Sequence, residues 1–236
     1  MVGRVAALLA FGTALGLYYA FHERLWDAST WWDIAFLTFV LIPACFGLIW
    51  LVLPLRLARG RLAVGIALAV LAWAFHVAGW SGAENFCKLF AVTAIGFLFL
   101  DYFDALAWVV LVSLIIPWVD AYSVWRGPTK VIVTEHRHVF TNFSFAFPIP
   151  GEGSAANLGL PDLLFFSLFL AAAARFALRP GLTWLLMTLS FGGTLALAVW
   201  RNLGGLPALP LLALGFLLAN GDLIWARLRP RARARS

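Results

Sequence analysis

Two aspartates stand in apolar sequence on either side of one polar loop: Asp120 in Pro117-Trp-Val-Asp-Ala-Tyr and Asp162 in Gly159-Leu-Pro-Asp. Each adjoins an apolar run long enough to cross a bilayer, where an ionisable carboxyl is costly and marks a functional hypothesis by default. Two carboxylates close together in low dielectric cannot both stay ionised, so they share a proton and titrate as a pair. One can then take a proton from water while its protonated partner polarises a carbonyl, and hydrolysis of a peptide bond is the obvious use. The competing reading makes both acids interfacial residues at helix ends. A third feature, Leu206-Pro-Ala-Leu-Pro210, opens the last apolar segment. Two prolines there remove N–H groups and leave carbonyls without partners, which at membrane depth is tolerated only where the backbone lines protein or a wet cavity.

The elements that must position these residues follow from composition. Of 236 residues, 63% are hydrophobic and 12% charged, and the mean hydropathy is +0.92. Too few polar residues remain to clothe a soluble domain, so the expected fold is all-α, a polytopic transmembrane helix bundle. Apolar runs of roughly 20 residues give about eight spans, at 4–21, 33–55, 62–80, 86–103, 105–125, 158–178, 182–200 and 206–226. Asp101-Tyr-Phe-Asp104 divides the fourth span from the fifth, since the about forty apolar residues around it are too many for one crossing. The first span, although preceded by Arg4, reads as an uncleaved helix because further spans follow at once. The expected organisation is residues 1–104 as N-terminal transmembrane helices, 105–226 as the helices carrying the three motifs, and 227–236 as a basic tail. At 1.5 Å per residue, Asp120 lies roughly 7 to 8 Å below its helix exit and Asp162 roughly 6 Å deep on the same side. If their antiparallel helices are neighbours, the carboxyls meet.

Basic residues orient the chain. With eight spans, one side carries Arg4, Arg56, Arg59, Arg61, Arg175, Arg179 and the tail arginines from Arg227 to Arg235; the other carries Arg24, Lys88, Arg126, Lys130, Arg137 and Arg201. The excess places both termini in the cytoplasm of a multi-pass cell-membrane protein. The tail reads as a topology anchor near anionic lipid and not as a nucleic-acid site. Trp31, Trp32, Trp80, Trp125, Trp184, Trp200 and Trp225 fall near expected span ends, as an interfacial belt does.

The remaining polar residues carry less chemistry. Cys45 and Cys87 show no CxxC spacing and read as embedded residues. Glu135, His136 and His138 do not form a convergent metal set and read as a solvated loop. His76 reads as a packed or interfacial histidine, and the Asn142-Phe-Ser144 sequon as incidental. Asp104 is the reserve candidate should the pair of acids fail. The loop from Arg126 to Asn157 is long for a compact membrane protein. Its β-branched and aromatic stretches, 130–134 and 139–147, predict a small hairpin whose strands could pair with an unwound substrate; the alternative is an ordinary interfacial loop.

The motifs together resemble a known family, the presenilin and signal peptide peptidase type of intramembrane aspartyl protease. In that family one catalytic Asp follows Tyr, the second ends Gly-x-Gly-Asp, and Pro-Ala-Leu opens the last helix. Trp118-Val-Asp-Ala-Tyr-Ser-Val-Trp-Arg-Gly-Pro-Thr-Lys-Val-Ile-Val-Thr-Glu135 looks like the first motif and its exit, Leu158-Gly-Leu-Pro-Asp-Leu-Leu-Phe-Phe-Ser167 like the second, and Leu206-Pro-Ala-Leu-Pro210 like the third. The likeness runs over residues 102–226 with the order of motifs preserved. It implies a presenilin-like bundle, catalysis by Asp120 and Asp162, site-shaping by Gly159, Leu160, Pro161, Pro207, Ala208, Leu209 and Pro210, transmembrane peptide substrates, and no cofactor or metal. Type IV prepilin peptidases fit less well, for they lack the terminal proline motif and this chain has no cytoplasmic cysteine module. The sequence departs from the family pattern at Val119, where Tyr is expected, and at Pro161, where Gly is expected; the family is also usually built with nine spans. Two alternatives stay open: a catalytically impaired homologue that binds helices, and a proton-coupled transporter using the acids as a relay, which would show inverted repeats.

Overall fold

A computed structural model describes residues 2–126, 137–201, 203 and 206–229. Each of the expected apolar segments is helical. They form α1 (Val2–Phe21), α2 (Thr30–Leu57), α3 (Arg61–Val77), α4 (Ser81–Phe99) and α5 (Leu106–Arg126), then, after a short α6 (Arg137–Asn142), α7 (Leu160–Arg175), α8 (Pro180–Trp200) and α9 (Leu209–Leu228). Among the described residues six helical stretches are long and apolar enough to cross a membrane: α1, α2, α4, α5, α8 and α9, some extended by a closing turn. The 17 residues of α3 are also apolar but shorter.

Local sequence explains the breaks. In α2 a π-helical turn at Leu37–Leu41 precedes Pro43. Proline removes a helical donor and clashes with the carbonyl a turn back, and one widened turn absorbs that clash. A second proline, Pro54, sits in the tight final turn Leu53–Leu57. Gly60 and Gly79, at φ +82° and +74°, make the left-handed turns that begin and end α3. At the α3–α4 junction Phe75 stacks on Trp80, and Glu84 binds both Lys88 and His76. At the far end of the same helix pair, Arg61 holds Asp101 at 2.8 Å.

The central stave is α7. Phe166 through Ala173 are all buried, as is Leu163, and a helix apolar all round belongs inside a bundle. Its alanine run lets neighbours approach closely, and Phe166 and Phe169 reach Phe46 of α2, Phe191 of α8 and Phe216 of α9. On another side Gly96 of α4 leaves no room for a side chain: a Cβ there would lie 2.8 Å from the Leu164 carbonyl oxygen. Gly215 of α9 seats against α8 in the same way, 3.1 Å from the Leu186 carbonyl. By contrast α1 buries only Leu15 and stands at the edge.

The hairpin expected in the loop exists with different strands. β1 (Ser144–Pro148) lies largely within the expected 139–147 stretch, but residues 137–142 are helical and the antiparallel partner is β2 (Ala155–Gly159). The other expected strand, 130–134, lies outside the described residues, and the span expected from 158 begins at 160 because its first two residues close the hairpin. Long-range bonds account for the choice. Asn85 of α4, buried in the bundle, donates from Nδ2 to the Ala146 carbonyl at 2.8 Å and accepts the Ala146 N–H at Oδ1 at 2.9 Å. The Tyr19 hydroxyl donates to the same carbonyl and that of Tyr18 to Pro148, each at 2.6 Å. At the hairpin tip Gly151, with φ +75°, donates its N–H to the His22 carbonyl at 2.8 Å, where a Cβ would strike the Asp27 and Trp26 backbone. Phe145 and Phe147 then drop into the core.

Candidate active site

Asp120 lies six residues before the end of α5, and Asp162 is the third residue of α7. The chain brings both to the end of the bundle that carries the hairpin. There the charge of Asp120 bears on Asp162. Both residues are partly covered as wholes, but the Asp162 carboxyl itself is enclosed and the Asp120 carboxyl less so.

Each carboxylate is held by a helix start. Leu209 is the first helical residue of α9, after Leu206, Pro207 and Ala208 lead in without helical structure. Its N–H has no acceptor within the helix and donates to Asp120 Oδ2 at 3.0 Å. Pro210 follows at the second position, where its missing N–H costs nothing. Asp162 repeats the arrangement on α7: its carboxylate accepts the backbone N–H of the N-cap residue Gly159, the return half of a capping box. A Cβ on Gly159 would lie 3.2 Å from Asp162 Oδ2, so glycine keeps that approach open. Pro161 occupies the second position of α7 and is exposed. The second position of α7 therefore demands no donor, and a proline stands in it without breaking the helix.

Pro117, one turn before Asp120, sits inside α5 and leaves the Ser113 carbonyl without its helical partner. Beside it opens a cavity of about 390 Å³ between α5, α8 and α9, lined by Pro117, Ala121, Thr194, Leu197, Pro207 and Pro210 among others. The wall is apolar apart from Thr194. All of the expected site residues, Asp120, Asp162, Gly159 to Pro161 and Pro207 to Pro210, thus come to one end of the bundle.

Other candidates separate from this place. Asp104 is exposed at the opposite end of the bundle, past the turn that follows α4. Glu135 and His136 lie outside the described residues, as does the side chain of His138. Among the described residues no group of three His, Cys, Asp or Glu is arranged to hold a metal ion. A carboxyl that sequence reasoning passed over is Asp33, in the first turn of α2 at the hairpin end. It is 6% exposed, its Oδ1 is buried without a partner, and it faces the charges of Glu152 and Asp27. Its signal was present: an acid three residues inside a 28-residue apolar helix.

Comparison with known proteins brings no match, whether to a family model, a curated protein or a solved structure. What fold and composition define is a class, a helical chain with, among the described residues, six helices fit to cross a membrane.

Proposed function

We propose that this protein is an intramembrane aspartyl protease in which Asp120 and Asp162 activate water to hydrolyse a peptide bond of a transmembrane segment. The observation that carries this reading is that two acids from different helices stand where the charge of one bears on the other, one of them held by the backbone of the Pro-Ala-Leu-Pro stretch. One carboxyl accepts a proton from water as the oxygen attacks the scissile carbonyl; the other, protonated, donates to the carbonyl oxygen. The α9 N–H fixes the orientation of Asp120, and orientation is a large part of such catalysis. The apolar cavity beside Pro207 and Pro210 suits a substrate side chain.

The hairpin supports the same reading. Because Ala146 turns its N–H and carbonyl outward to Asn85, its cross-strand partner Asn157 turns its own backbone groups to the outer edge of β2. The β1 edge is closed by α4 at Ala146; the β2 edge leads through Gly159 to Asp162. A peptide added to β2 would be held extended, with its carbonyls exposed, as it reaches the acids. In this reading the eight helical rods are eight crossings, both termini are cytoplasmic and the hairpin faces outward.

A second reading rests on the caps themselves. Both carboxylates satisfy helix-terminal N–H groups, which is sufficient reason for their presence in a helix-binding protein without catalysis. Asp120→Asn and Asp162→Asn separate the two, since asparagine keeps the accepting oxygen and loses the acid. In liposomes carrying a transmembrane reporter, cleavage by the parent that is lost in each variant, with the fold unchanged, supports the protease. Reporter retention without cleavage in all three supports the binding protein, and proton-coupled uptake without cleavage supports a transporter.

A further inference from the structure

The tip of the hairpin is pressed against the link between α1 and α2, and the contact gathers acids. Gly151 donates its N–H to the His22 carbonyl at 2.8 Å, its backbone so close to Trp26 and Asp27 that no side chain fits there. Two residues on, a Cβ at Gly153 would lie 3.8 Å from Glu23 Oε1. Glu152 stands between these two contacts and accepts the Ser154 hydroxyl at 2.5 Å. Glu23 and Asp27 are exposed and Glu152 half-buried, so water screens all three. Asp33, in the first turn of α2, is 6% exposed, and its Oδ1 is enclosed without a donor.

Nothing packed around Asp33 supplies that donor. On α1 the Tyr18 hydroxyl is committed to the Pro148 carbonyl at 2.6 Å. In the link His22 donates from Nδ1 to the Tyr19 carbonyl at 3.0 Å, and Arg24 lies over the Phe21 ring. The charges that bear on Asp33 are those of Glu152 and Asp27, both of its own sign. Helix α8, which meets the same stretch of α2 where Gly192 seats on Thr38, has no titratable side chain. Among the described residues none of these four acids is in a salt bridge. Enclosure leaves no room at Oδ1 for water or a metal ion. A proton needs no room, and it removes the charge.

We propose that Asp33 is a proton-operated latch for the hairpin tip: neutral, it lets Glu152 and the Gly151 turn dock on the link between α1 and α2, and ionised, it drives them off. The docked tip is then the protonated state. Loss of the proton sets a third negative charge beside Asp27 and Glu152, and Glu152 lies between two glycines, where the backbone yields most easily. Strand β2 begins three residues further on and runs to Gly159, so the latch sets how firmly the strand before Asp162 is held. It is read on the hairpin itself and does not depend on proteolysis.

The test follows residues 149–154 by hydrogen–deuterium exchange of the full chain in nanodiscs from about pH 4 to about pH 8, with rates corrected for the intrinsic pH dependence of exchange. The parent's protection is expected to fall at least about tenfold over that range, as a proton bound more tightly in the docked state requires. In Asp33→Asn it should change less than about twofold, and in Glu152→Gln, which removes one of two facing charges, fall only about threefold. Glu23→Gln alters an exposed acid at the same turn and should keep the parent's fall within about twofold. A parent without the fall overturns the latch, as does an Asp33→Asn that keeps it. A Glu23→Gln that abolishes the fall also overturns it, by reducing the effect to the general charge of the tip. Should Asp33→Asn fail to fold, Glu152→Gln is read alone, and a fall equal to the parent's overturns the proposal.

Discussion

Asn85 grips the backbone of the hairpin that leads into Asp162 at both groups of Ala146, and removing it is a direct test of how the site is positioned. Asn85→Ala deletes three hydrogen bonds: from Nδ2 to the Ala146 carbonyl at 2.8 Å, from Nδ2 to the Tyr19 hydroxyl at 3.3 Å, and from the Ala146 N–H to Oδ1 at 2.9 Å. The carbonyl keeps the Tyr19 hydroxyl, but the Ala146 N–H points into the buried space left behind. A typical hydrogen bond contributes about 1 kcal/mol net and an unsatisfied buried donor costs about 1 to 3 kcal/mol, which together put the local loss at about 2 to 4 kcal/mol. At 1.4 kcal/mol per factor of ten, amide exchange at Ala146 and at its ladder neighbours Phe145 and Phe147 accelerates by about 30- to 700-fold. Hydrogen–deuterium exchange read by mass spectrometry, in micelles, follows the 144–148 segment against the α7 interior as internal reference. Asn85→Asp keeps the acceptor and loses the donor, so it falls between parent and alanine. Exchange in Asn85→Ala within about threefold of the parent would show that the two tyrosines and the buried phenylalanines hold the strand unaided, and would refute the role of Asn85 as its tether.

Three other outcomes follow from the same contacts. Gly96→Ala forces α4 away from the Leu164 carbonyl and lowers stability by about 1 to 3 kcal/mol. Gly65→Ala meets only ordinary contact at 3.5 Å from Ala94 and leaves stability unchanged or up to about 1 kcal/mol higher; thermal unfolding in one detergent ranks the pair, and the reverse order would contradict the packing described for α4. Asp162→Ala removes the acceptor for the Gly159 N–H and costs about 0.5 to 2 kcal/mol of stability, whereas Asp162→Asn costs little; equal losses in the two variants would mean that the cap contributes nothing. Asp33→Asn takes a charge with an unpartnered oxygen away from Asp27 and Glu152, so its unfolding midpoint should rise, and a lower midpoint would show that the carboxylate has a partner in the membrane.

How far the fold could be read in advance depended on the range of the interactions. Apolar runs of span length, prolines at helix starts and glycines at turns are local facts, and the helices end within a few residues of where those signals fall. The two acids and the Pro-Ala-Leu-Pro stretch were legible too, because carboxyls are rare in such sequence and threading alone returns them to one side. The strand partners were not legible. A β-branched stretch states only that it can be extended; that β1 takes residues 155–159 is decided by Asn85 and Tyr19, distant in sequence, which bind its backbone from the side. Nor could sequence say that Pro161 would sit harmlessly at the second position of α7, that Leu209 would supply the N–H for Asp120, or that Asp33 would be buried.

The amino-acid sequence by itself determined which segments leave water and which rare polar residues go with them, since transfer into an apolar phase depends on composition over one helix length. Only the tertiary structure decided which helices touch, and so which N–H meets which carboxylate, because those bonds join residues whose spacing along the chain carries no trace of their distance in space.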